Sequence, residues 1–192
     1  MNNKKGLLVV VLALIMIIGT ASILYDHLGE EADVEQIVLQ PTQPEITETE
    51  DASKENEAPD FTVYDVDGNA MKLSDYFGKP IVLNFWASWC GPCQMEMPAF
   101  EEKYKEIGND VQFLIVNVTD GHRETVETAS KFITNKGYTF PVLYDTSWEA
   151  VVSYNVNAMP TTYFIDENGC VATYAIGAID EEILTQYIEL IY

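Results

Sequence analysis

The hydrophobic pattern divides the chain into three unlike stretches. Residues 6–25 read G-L-L-V-V-V-L-A-L-I-M-I-I-G-T-A-S-I-L-Y without a charge. At about 1.5 Å per helical residue such a run reaches across a bilayer core of about 30 Å. Lys4 and Lys5 precede it and only acids follow closely, a bias that keeps the N-terminus cytoplasmic and exports the remainder. Residues 1–25 are therefore expected to be a membrane anchor, with the following domain on the extracytoplasmic side of the cell membrane. A cleaved signal peptide is the alternative, because Gly19-Thr20-Ala21 has the small side chains of a cleavage site; the product would then be secreted or periplasmic. Residues 26–57 are rich in Asp, Glu, Gln, Pro and Thr and hold too little apolar surface to offset the entropy of ordering them. They read as an acidic, disordered linker that repels itself and extends.

From residue 58 to 192 the pattern is globular. Phe61 to Asp67 alternates weakly and meets Asp67-Gly68-Asn69, a hairpin signal. Pro80 to Trp86, P-I-V-L-N-F-W, is a continuous apolar run of the kind buried on both faces of a sheet. A helix is expected from Cys90 to Ile107, with a kink at Pro98. Val111 to Val118 is a second buried strand, and Arg123 to Lys136 a helix closed by Gly137. Phe140 to Tyr144 reads as a short strand and Trp148 to Tyr154 as a short helix. Thr161–Ile165 and Cys170–Ile176 flank the turn Asp166-Glu167-Asn168-Gly169. Asp180 then caps a helix whose Ile183, Leu184, Tyr187, Ile188 and Ile191 recur on one face. This order predicts an α/β fold.

Composition narrows the chemistry. With 192 residues, 47% of them hydrophobic, the chain can bury one sizeable core. The formal charge of −21, from 31 acids against 10 bases, excludes nucleic acid as a partner, since no cluster of Lys and Arg is present to meet phosphates. His27 and His122 have no companions at ligand spacing, and the three cysteines cannot complete a tetrahedral zinc site. No metal or other cofactor is expected.

That leaves Cys90-Gly91-Pro92-Cys93. A CxxC at the start of a helix brings the first sulfur near unpaired backbone N–H groups, where the helix dipole favours negative charge. Cys90 thereby ionises more easily than a free cysteine. Cys93, one turn on, is close enough to attack a mixed disulfide formed on Cys90. The pair reads as a redox centre that cycles.

Three stretches carry a resemblance: F-W-A-S-W-C-G-P-C, the C-x-x-C-x-x-E-x-P spacing through Glu96 and Pro98, and Met159-Pro160-Thr161 before a strand. They resemble thioredoxin-fold proteins. More narrowly, L-N-F-W-x-x-W-C, the opening A-P-D-F, the D-G-N turn and L-S-D-Y-F-G-K-P resemble the membrane-tethered TlpA/ResA-like thiol-disulfide oxidoreductases. The likeness covers residues 58 to 192. It implies a thioredoxin-like fold: a central mixed sheet flanked by helices, with an N-terminal β-hairpin and an inserted strand-helix segment. It also implies that Pro160 is cis and faces the disulfide, freeing the backbone of Met159 to pair with an incoming substrate strand. Trp89 is expected to frame the site and Glu96 to support it; Trp86 frames it or fills the core.

Thioredoxin carries a buried acid six residues before its first cysteine, where Asn84 stands here. Proton handling must then come from elsewhere. ResA-like members have an acid after the second central strand, and V-N-V-T-D-G offers Asp120 there. It is either a buried proton acceptor for Cys93 or an exposed cap of the following helix. Cys170 is expected at the opposite end of the sheet. The resemblance implies disulfide reduction in exported proteins, apocytochrome c among them, with a CcdA/DsbD-like membrane thiol donor recharging Cys93 and Cys90. Two alternatives stand beside it. A peroxiredoxin shares A-P-D-F but places Thr or Ser where Ala87 is, and an SCO-like copper chaperone wants C-x-x-x-C and a distal histidine.

Overall fold

A computed structural model describes residues 56–192. The expected anchor and nearly all of the expected linker lie outside the described residues, among which no helix is long and apolar enough to cross a membrane. The elements are β1 (Thr62–Tyr64), β2 (Ala70–Lys72), β3 (Ile81–Trp86), α1 (Gly91–Ile107), β4 (Gln112–Val118), α2 (Val126–Lys136), β5 (Val142–Asp145), α3 (Glu149–Ser153), β6 (Thr161–Ile165), β7 (Val171–Ile176) and α4 (Glu181–Ile188). One sheet of seven strands runs in the order β2-β1-β5-β4-β3-β6-β7. The fold is thioredoxin-like.

β3 occupies the middle because its sequence has no polar face to turn to water. All six of its residues are buried. Ile81, Leu83 and Phe85 join a core shared with Phe61, Leu73, Ala150, Val151 and Tyr154. Val82 and Trp86 join the other core, with Met97, Phe100, Ala129 and Leu184. The period of two thus serves two layers at once, and fully burying each large apolar side chain contributes about 1.5–3 kcal/mol. β3 pairs parallel with β4, Phe85 opposite Val116, which requires the crossover that α1 supplies. It pairs antiparallel with β6, Phe85 opposite Thr161. The C-terminal end of β3 and the N-terminal end of β6 therefore meet, and the loops carrying Cys90 and Pro160 face each other.

Two expectations shift. The expected helix from Arg123 begins only at Val126, because Thr125 forms the cap: its hydroxyl accepts from the Thr128 N–H at 3.1 Å. Residues 120–124 form a separate turn. The helix does end as expected at Gly137, whose φ of 72° is the left-handed conformation that glycine tolerates. The expected helix at 148–154 shortens to α3, with Trp148 left at φ 63°, a rare backbone state for a bulky residue.

Candidate active site

Cys90 ends the loop leaving β3 and is the N-cap of α1. Its backbone is extended, Pro92 follows in the first turn, and its Sγ accepts from the Cys93 N–H at 3.2 Å. Proline suits that place because the first turn has no helical partner for its missing N–H. Cys90 and Cys93 are joined in a disulfide. The two sulfurs differ in access. Cys93 is fully enclosed, whereas Cys90 lines a groove of about 400 Å³ with Trp89, Pro92, Trp148, Val156 and Met159. No backbone hydrogen bond engages Met159 among the described residues. The Met159–Pro160 bond is cis.

Glu96 lies one turn beyond Cys93 on the same helix face, a spacing of about 5–6 Å between Cβ atoms. It is 3% exposed. Its Oε1 accepts from Asn84 Nδ2 at 2.9 Å and its Oε2 from the Ile179 N–H at 3.1 Å. Asn84 also donates to Thr162 Oγ1 at 2.9 Å. Burial pushes the Glu96 carboxyl up to about 7, against the pull of those two donors.

Asp120 differs. It stands in the turn after β4, where its Oδ1 accepts from the N–H groups of Glu124 at 2.9 Å and His122 at 2.7 Å. Those donors hold the carboxyl below its ordinary value. Of its two expected roles, this geometry is that of a turn cap; the buried, proton-retaining acid near Cys93 is Glu96. The cause is local: Asp120 Oδ1 is taken up by the amides of its own turn, while Glu124 of the same turn is the acid that is buried.

Trp89 is 40% exposed, at the rim of the groove, with the Arg123 guanidinium 4.0 Å above its ring. Trp86 is wholly buried against Phe132 and fills the core. Cys170 lies beyond β6, at the end of the sheet away from Thr161. Sequence reasoning missed Glu124, which is fully buried and accepts from the Ser88 N–H and Oγ. The helix expected from Arg123 puts Glu124 in a first turn, where acids are ordinary. Sequence reasoning also missed Trp148, whose indole N–H donates to the Thr119 carbonyl at 3.1 Å, fixing the ring beside the groove.

A dithiol capping the helix after a central strand, faced by an X-Pro loop from the antiparallel neighbour, is the site of the thioredoxin-like disulfide oxidoreductases. The profile of the AhpC/TSA family matches residues 55–174. The chain is 39% identical over 137 residues to thiol-disulfide oxidoreductase ResA of Geobacillus kaustophilus, covering 70% of this chain and 75% of that protein. It is 34% identical over 143 residues to ResA of Bacillus subtilis, covering 74% and 78%. The pneumococcal exposed lipoprotein thioredoxin Etrx1 from Streptococcus pneumoniae superimposes with a TM-score of 0.58 at 35% identity, covering 68% of this chain and 98% of that one. The chain belongs to the ResA-like thiol-disulfide oxidoreductases of the AhpC/TSA family. At the position three before Cys90, where a peroxiredoxin needs a hydroxyl, Ala87 is buried with only a methyl group.

Proposed function

We propose that this oxidoreductase works as a reductase of protein disulfides outside the cytoplasm, tethered to the membrane by residues 1–25. The observation that carries the reading is the asymmetry of the two sulfurs: Cys90 borders an open groove while Cys93 is enclosed one turn from Glu96. In the reduced enzyme the Cys90 thiolate attacks one sulfur of a substrate disulfide, forming a mixed disulfide and expelling the substrate's other thiolate, which takes a proton from solvent. Cys93 then passes its proton to the Glu96 carboxylate and attacks Cys90 Sγ. The substrate leaves as a second thiolate, which takes a proton from solvent, while the protonated Glu96 returns its own proton to solvent, and the enzyme is left with the Cys90–Cys93 disulfide. Two electrons have moved from the dithiol to the substrate.

A carboxyl with its midpoint near 7 suits this step, because it is ionised often enough to accept the proton and basic enough to hold it. The groove and the unengaged backbone of Met159 suit an extended polypeptide, paired strand to strand. Exported proteins whose paired cysteines must be reduced, apocytochrome c among them, are the substrate class, and a CcdA/DsbD-like membrane thiol donor restores the dithiol. Equilibration of the protein against glutathione buffers tests the direction. A potential near thioredoxin's, about −270 mV, is expected; one near DsbA's, about −120 mV, would make the protein an oxidant and overturn the reading.

A further inference from the structure

The short stretch between β3 and Cys90 is tied down from two sides at one residue. Every polar group of Ser88 is engaged. Its N–H and Oγ donate to the two carboxylate oxygens of Glu124, at 2.7 and 2.6 Å, and its carbonyl accepts from Gln94 Nε2 on α1 at 2.6 Å. Glu124 Oε1 takes a third donor, Asn117 Nδ2, at 2.6 Å. Asn117 is itself held by Thr119, whose Oγ1 donates to Asn117 Oδ1 at 2.9 Å. Beside this knot, Arg123 covers Trp89. Two neighbouring residues of the turn after β4 thus grip two neighbouring residues of the active-site loop.

Glu124 has no exposed surface, and the three ion pairs among the described residues do not include it. Enclosing a carboxylate without a cation costs several kcal/mol unless hydrogen bonds satisfy its oxygens. Here the satisfying donors come from the end of β4 and from the residue two before Cys90. Apolar packing could hold a loop closed, but short bonds to a carboxylate also fix its geometry. We propose that Glu124 is a positioning residue for Cys90: through Ser88 it holds the loop so that the sulfur stays over the first amides of α1. The inference rests on Cys90 being the attacking sulfur. If the knot is loosened, Cys90 drifts from the Cys93 N–H and from the helix terminus. Its thiolate is then less stabilised and attacks more slowly.

The test follows the sulfur and not turnover. In the full chain carrying Cys93→Ala and Cys170→Ser, only Cys90 remains to react, and its alkylation by iodoacetamide is measured from pH 5 to 10. The charged groups around it are Arg123 and Glu124 from the turn after β4 and Glu96 from α1; the groove side carries no charged side chain. Glu124→Gln and Ser88→Ala are each expected to move the pH midpoint up by about one unit and slow alkylation at neutral pH about tenfold. The double variant should be no slower than the slower single, because both act through one contact. Unchanged midpoints in both singles, or effects that simply add, overturn the proposal. Should Glu124→Gln fail to fold, Ser88→Ala decides alone by the same midpoint. An unmodified Cys90 that already titrates like a free cysteine, near pH 8.5, would instead count against its role as the nucleophile.

Discussion

Glu96 stands in the first half of α1 and Asp120 after the end of β4, and each accepts two of the hydrogen bonds described above. Glu96 is enclosed by the sheet and the segment entering α4, and holds its proton up to about pH 7. Asp120 meets water and the amides of its own turn, and loses its proton more readily than an ordinary aspartate. Two donors are thus enough to stabilise a charge that water also reaches, and too few to offset the loss of water around a buried one. The proton affinity of these two carboxyls follows depth, not nearness in the chain to a strand end.

Both carboxyls matter to the chemistry only through the two cysteines, and removing either sulfur has the largest effect. Cys90→Ala should abolish disulfide reduction and form no adduct with substrate. Cys93→Ala should also stop turnover but accumulate a mixed disulfide through Cys90, visible by mass on a non-reducing gel. An adduct on Cys93 in the Cys90→Ala protein would invert the assignment.

Next in size is the contrast itself. Glu96→Gln should slow resolution of the mixed disulfide about 10- to 100-fold and erase the rate midpoint near pH 7. Asp120→Asn should leave both the rate and its pH profile in place. The opposite pattern would return the proton to Asp120.

Stability carries a smaller signature. The folded Glu96 carboxyl keeps its proton to about pH 7, while an unfolded one releases it at its ordinary value of 4.5. Between these values the folded state binds more protons, so stability falls as pH rises from about 4.5 to 7 and levels above. The span is on the order of 3 kcal/mol. In Glu96→Gln, urea unfolding at pH 5 and pH 8 should lose most of that difference; an unaltered slope would mean the carboxyl does not titrate in this window. Smallest of all, Cys170→Ser should not change the rate of disulfide reduction, and a large loss would place the thiol near the dithiol after all.

Much of this was legible along the chain where a local rule acts alone. The two-sided burial of β3, the cap at Asp180, the Gly137 terminus and the dithiol at a helix start each depend on a few adjacent residues. The depth of an acid does not. Glu96 looked like one polar residue between Met95 and Met97, and only the packing of Asn84 and Ile179 over it reveals a buried carboxyl. Glu124 was hidden for the same reason: its partners, Ser88 and Asn117, are 36 and 7 residues away. Between the two roles expected of Asp120 the sequence could not choose, because position after a strand is visible in it while the folding of the turn onto its own amides is not.

The first described residues add a directional consequence. Val171 donates to the Asn56 carbonyl at 2.8 Å, Ala58 to that of Gly169 at 2.8 Å, and Glu57 bridges Cys170. The chain therefore enters the domain beside the β6–β7 turn, whereas the dithiol sits beyond the opposite ends of β3 and β6, about 15 Å or more away along five strand residues. Entrance and chemistry occupy opposite poles. A pull or a hold applied through residue 56 therefore acts on the pole opposite the dithiol and leaves the groove beside Cys90 clear of the entering chain.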